Sequence, residues 1–138
     1  MRWAAAVLAA CLSPVLLPAV PALARQAERI PTIGQEGPEL DACGGIGTVT
    51  RLALGETQNL AVRDRPADEG YKKDELAAKT LVWLCDAEGE WQGIVYPGGE
   101  YQDLGDCRVS SPVPQPAPYQ GPCRHGWVDA RFIDLVAG

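Results

Sequence analysis

The side chains of this sequence best suited to covalent or metal chemistry are five cysteines and a single histidine, His125. Cys123 stands two residues before His125, but a Cys-His dyad would require that thiol to stay free, and C-x-H is no nucleophile spacing in itself. No G-x-S-x-G, H-E-x-x-H or Walker sequence occurs. Asp64, Asp68 and Glu69 gather in one segment, which reads as a solvated acidic loop, not as a paired acid and base. Zinc held by four thiolates, or by three with His125, is the metal alternative, yet no C-x-x-C pair is present. The chain is therefore expected to be non-catalytic, with no cofactor and no metal.

The cysteines make better sense as disulfides. Arg2 precedes an apolar run from Trp3 to Leu23 that ends in Ala22-Leu23-Ala24, the pattern of a secretory signal peptide over residues 1–24 cleaved after Ala24. Pro14, Pro18 and Pro21 break the run, and no basic cluster follows it, which disfavours a membrane span. Leu8-Ala9-Ala10-Cys11 offers a lipobox as a rival, placed early for that role. Cleavage after Ala24 removes Cys11 and leaves Cys43, Cys85, Cys107 and Cys123, an even set that reads as two disulfides in an oxidising compartment. Three pairings are possible. The preferred one joins Cys107 to Cys123, which bracket one continuous loop, and Cys43 to Cys85. The expected location is periplasmic or secreted.

Without Arg2 the mature chain carries 11 basic and 18 acidic residues, a net charge of −7 with His neutral. Its Lys and Arg are scattered among acids, which argues against nucleic acid and against anionic membrane surfaces as partners. With 114 residues it suits one domain.

The elements that must position these residues are short. Residues 25–42 are polar and irregular and are expected to form a flexible arm ahead of a β domain at 43–138. Strand signals follow over 47–52, over 58–65 with Leu60 and Val62 on one face, over 80–85, over 90–96 and over 126–135. Gly55 marks a turn within 53–57, and Asp86-Ala87-Glu88-Gly89 reads as another. Lys72 to Lys79 is rich in helix formers but too short to hold a helix alone. It is expected to lie on the far side of a long loop. Residues 97–125 hold six of the twelve prolines, and the alternate prolines from Pro112 to Pro118 favour polyproline II. That segment reads as a surface excursion stapled at its base by Cys107 and Cys123; the alternative is that the strip is displayed for recognition or folds back over the domain's own groove.

Leu60-Ala61-Val62-Arg63-Asp64-Arg65-Pro66 resembles the L-x-V-R-x-x-P opening of bacterial SH3 domains. Leu76 with Val82 and Leu84, Trp91 with Ile94, and Gly126-Trp127-Val128 with Phe132-Ile133 resemble the family's later strands in the same order. Lys79 stands where the family usually has Gly, and the insertion at 97–125 and the four cysteines are departures. The resemblance implies an all-β fold, a small SH3-like antiparallel barrel with a long Pro-rich insertion. Leu60, Val62, Val82, Leu84, Ile94 and Val128 would supply its core. It also implies a binding module for an extended peptide, a protein or a peptidoglycan fragment, with Tyr71, Trp91, Tyr96 and Trp127 as an aromatic shelf. The alternative function is an exported inhibitor or partner protein acting through the disulfide-closed loop 107–123.

Overall fold

The computed structural model describes residues 10, 11, 13–21, 26–50 and 59–138. The cleavage site at Ala24 and the turn at Gly55 lie outside the described residues. Residues 13–21 are exposed and carry no regular structure, and no helix among the described residues is long and apolar enough to cross a membrane.

The described chain is all-β and antiparallel. Its strands are β1 (Thr32–Ile33), β2 (Gly45–Val49), β3 (Leu60–Arg63), β4 (Lys72–Leu76), β5 (Leu81–Glu88), β6 (Trp91–Tyr96), β7 (Ala117–Pro118), β8 (Arg124–Asp129) and β9 (Ile133–Ala137). Seven of them form one sheet in the order β4-β3-β8-β6-β5-β2-β9, and β1 pairs with β7 separately. The sheet curls, because Leu76 near one edge and Ile133 at the other edge pack into the same cluster.

Alternation along the strands sends side chains to two different cores. Leu60, Val62, Val82, Ile94, Tyr96 and Val128 share one cluster with Val49 and Leu76, and Leu84 packs against it half-buried. This is the expected aliphatic core. Trp83 and Val95 leave the same strands in the opposite direction and join Ala42, Cys43, Cys107, Val109, Tyr119 and Cys123. The middle of the sheet is thus buried on both faces, and the second cover is built from residues 28–43 and 101–123.

That cover corrects two expectations. The arm at 25–42 is not loose where it is described. Pro31 is fully buried, β1 pairs with β7, and Asp86 binds the Thr32 N–H. The insertion is stapled as expected by Cys107–Cys123, with Cys43–Cys85 as the second bridge, yet it is no free excursion. Val109 and Tyr119 are buried, and the Tyr119 hydroxyl donates to the Cys107 carbonyl and accepts the Cys123 N–H, both at 3.0 Å. Each bridge removes denatured-state entropy worth roughly 3–4 kcal/mol in the chain-entropy model. Both are compatible with an oxidising compartment.

Local differences have plain causes. Lys72 to Leu76 is a strand, paired with β3 from Leu60↔Leu76 to Arg63↔Lys72. Ladder bonds and the burial of Leu76 outweigh the helix preference of so short a segment. β5 runs through Glu88 and turns only at Gly89, whose φ of 56° suits a two-residue hairpin turn. The closing element is two strands, divided by a 3-10 turn at Ala130–Phe132 where the Asp129 side chain accepts the Arg131 N–H.

Candidate functional site

The loop between β3 and β4, residues 64–71, is held from inside. Asp64 is 3 % exposed. Its Oδ1 accepts the Tyr71 N–H at 2.9 Å, its own N–H donates to the Tyr71 carbonyl, and Arg63 Nη1 donates to the Gly70 carbonyl at 2.8 Å. A buried carboxylate and a guanidinium thereby fix the loop's base, and the Tyr71 side chain stands 60 % exposed beyond it.

The four rings expected to form a shelf do not share a surface. The register pairs Trp91 with Asp129 and Gly93 with Trp127, so Trp91 and Trp127 lie on one face of the sheet. Tyr96 leaves β6 on the other face and is buried in the aliphatic cluster. Its hydroxyl donates to Asp74 Oδ2 at 3.1 Å, and burial together with that carboxylate pushes its pKa well above the usual phenol value. Trp127 is fully buried. The shelf is therefore corrected to an exposed Tyr71, a half-buried Trp91, and two rings packed inside.

Trp127 is covered by the chain itself. Its Nε1–H donates to the Arg29 carbonyl at 2.7 Å, the Arg29 guanidinium lies 5.3 Å from the ring centroid, and that guanidinium pairs with Glu88. Close approach at this point needs Gly93, where a Cβ would lie 2.7 Å from the Asp86 Cβ and 3.0 Å from the Pro31 Cβ. Next to Trp91 in register, Asp129 forms a bidentate pair with Arg131, which lowers the Asp129 pKa.

His125 belongs to a separate charged group. Lys73 Nζ lies 3.5 Å from its Nδ1 and donates to its carbonyl at 2.9 Å, Glu28 Oε1 stands 3.8 Å away and also binds Lys73, and Tyr119 meets the ring edge-on. Burial and the Lys73 charge hold the imidazole below its usual pKa, opposed by Glu28. Cys123 is bridged to Cys107, so its sulfur is not a free nucleophile beside this histidine. With the four cysteines in disulfides none is a thiolate ligand, and among the described residues no group of three or more His, Cys, Asp or Glu is placed to hold a metal ion.

Sequence reasoning missed the structural parts played by Arg29, Pro31, Asp86 and Tyr119. One signal was available: Trp83, Val95 and Trp127 alternate with the expected core residues, so the strands are apolar on both faces and a second cover is required. No family model matches the chain, and neither does any curated protein or solved structure.

Proposed function

We propose that this chain is an SH3-like binding module that works outside the cytoplasm and recognises an extended peptide or a peptidoglycan fragment without catalysis. The observation that carries the reading is Tyr71, a large ring 60 % exposed on a loop whose base is braced by Asp64 and Arg63. An exposed aromatic on a pre-organised loop binds with little ordering cost. Three further features support the SH3-like assignment. Pro66 lies in the long loop after β3, Trp91 opens β6, and a 3-10 turn follows the Gly126-Trp127-Val128 strand. The low count of basic residues leaves peptides and wall fragments as the partner class in preference to nucleic acid.

The alternative of an inhibitor acting through loop 107–123 is less favoured, since Val109 and Tyr119 turn inward and tie the loop to the domain. Co-sedimentation with purified peptidoglycan sacculi tests the preferred reading. Wild-type protein is expected in the pellet, and Tyr71→Ala is expected to weaken retention about thirtyfold, the equivalent of about 2 kcal/mol for a central contact ring. Failure of the wild type to pellet, or full retention of the variant, overturns the assignment to the wall through Tyr71.

A further inference from the structure

Residues 28–33 cross the sheet as an extended segment, held in the manner of a bound peptide. The domain engages four of their main-chain groups. The Arg29 N–H donates to the Asp64 carbonyl at 2.9 Å, and the Arg29 carbonyl accepts the Trp127 Nε1–H at 2.7 Å. The Pro31 carbonyl accepts the Tyr119 N–H at 3.0 Å, and the Thr32 N–H donates to Asp86 Oδ2 at 2.9 Å. Three side chains are engaged as well: Glu28 pairs with Lys73 beside His125, the Arg29 guanidinium lies against the Trp127 ring and Glu88, and Pro31 fills the space over Gly93. Backbone bonds that any extended chain can make, with side-chain sites at intervals, are the elements of peptide recognition.

Little else fastens the segment. All four bridged cysteines follow it in sequence, and none of its residues belongs to the seven-stranded sheet. Its ladder is the two-residue pairing of Thr32–Ile33 with Ala117–Pro118. The groups that grip it are braced from elsewhere: Asp64 by the Tyr71 N–H, Asp86 by the Ala87 N–H, and Tyr119 through its hydroxyl between Cys107 and Cys123. Residues 28–33 can therefore lift away with neither bridge opened and no strand of the large sheet unpaired, and the groove they leave keeps its donors and acceptors in position.

We propose that this groove is a docking site for an extended segment of another protein reading acid-Arg-apolar-Pro, with residues 28–33 as its resident competitor. The charges select that occupant. Its Arg meets the Trp127 face and Glu88, the acid before it meets Lys73, and the absence of a Cβ at Gly93 admits the Pro ring. A segment with those charges reversed would set acid against Glu88 and base against Lys73. The Arg29–Glu88 pair is half-exposed, so an incoming guanidinium can reach Glu88 as Arg29 leaves it. Because the resident segment is tethered, its high effective concentration keeps the groove closed until a tighter or more concentrated partner displaces it. The inference shares with the proposed function only the class of ligand, an extended peptide, and depends on neither Tyr71 nor the cell wall.

A capped synthetic peptide of residues 26–33 is the probe, titrated by calorimetry into the wild-type full chain and into two full-chain variants. Pro31→Asp sets a second carboxylate against Asp86, and Arg29→Glu opposes Glu88. Each variant is expected to free its own segment, seen as faster hydrogen exchange at Thr32, and to bind the peptide at least about thirtyfold more tightly than wild type does. The same peptide carrying Arg29→Glu is expected to bind at least about tenfold more weakly. Equal affinity of the wild-type and variant chains, or a peptide indifferent to Arg29→Glu, overturns the proposal. Unfolding of both variants also overturns it, since residues 28–33 would then belong to the core; if one variant fails to fold, the other decides. A wild-type dimer that the peptide dissolves would give the groove to the exchanged segment of a second copy and overturns it as well. None of these outcomes bears on the sacculus assay, because no wall material is present.

Discussion

Asp86 holds Thr32 across 54 positions of sequence, its Oδ2 accepting the Thr32 N–H at 2.9 Å. Its Oδ1 takes the Gln35 Nε2–H and the Ala87 N–H, both at 2.8 Å. One carboxylate, 7 % exposed, thus ties the segment after Arg29 to the outer face of β5.

Asp86→Ala is expected to cost about 2–3 kcal/mol, because it strips a charged acceptor from three part-buried hydrogen bonds at once. For a domain of this size that is a fall in Tm on the order of 10 °C. Hydrogen exchange at Thr32 should accelerate before exchange in β5 and β6. An unchanged melting curve with Thr32 still protected would show that the segment is held by packing of Pro31 alone.

Lys79 adopts a φ of 71°, in the left-handed region that disfavours side chains with a Cβ. This is the position where the resembled family usually has Gly. Lys79→Gly relieves the steric cost but enlarges the unfolded ensemble, so the net gain is expected to be small, up to about 1 kcal/mol. Urea melts of the two proteins measure it. A loss of more than about 1 kcal/mol would mean that the Lys79 side chain contributes contacts of its own.

The strand inventory and the aliphatic core were legible because Leu60, Val62, Val82, Ile94 and Val128 carry a clear period of two. The disulfide pairing was legible from the loop that Cys107 and Cys123 enclose. The second layer was harder to read. Pro31 and Pro118 look like strand breakers in isolation, whereas in the fold Pro31 fills the space over Gly93 and Pro118 pairs at the margin of a two-stranded ladder. Nothing local in the sequence says that residues 28–43 and 101–123 meet, since their contacts are set by the sheet beneath them. The same gap misplaced Tyr96 and left Trp127 open between shelf and core, since the burial of both rings depends on neighbours remote in sequence.

The group around His125 sets a pH dependence whose sign is fixed. Its pKa in the folded chain lies below the ordinary 6.5, through burial first and the Lys73 charge second, with Glu28 opposing. The unfolded chain therefore binds the proton more readily, and stability rises with pH across the interval between the two values. This contribution is fully present above about pH 6.5 and is lost as pH falls through the folded value. Urea melts at pH 7.5 and at pH 5 should show a larger decline for the wild type than for His125→Gln. Equal declines, or an imidazole that titrates above 6.5 by nuclear magnetic resonance, would contradict the assignment.

Tyr71 and Tyr96 offer the sharpest separation of binding from stability. The Tyr96 ring is 3 % exposed within the aliphatic cluster, so Tyr96→Ala should cost about 3–5 kcal/mol and can unfold so small a domain. Tyr96→Phe keeps the ring and removes only the hydroxyl that donates to Asp74, which Arg124 still engages at 3.2 Å, for an expected cost of about 1 kcal/mol. Tyr71 differs because the bond by which Asp64 holds this position is to its backbone N–H, which the substitution keeps. Tyr71→Ala should therefore leave the loop in place and shift stability by no more than about 0.5 kcal/mol. Thermal melts of the three variants, run beside the sacculus assay, decide between the two uses of tyrosine. If Tyr71→Ala destabilises the fold as much as Tyr96→Ala, any loss of binding reflects unfolding, and the exposed ring is not the recognition group. If Tyr96→Phe loses only about 1 kcal/mol and keeps binding while Tyr71→Ala keeps its stability and loses binding, recognition lies on the outer loop and the buried ring serves the core.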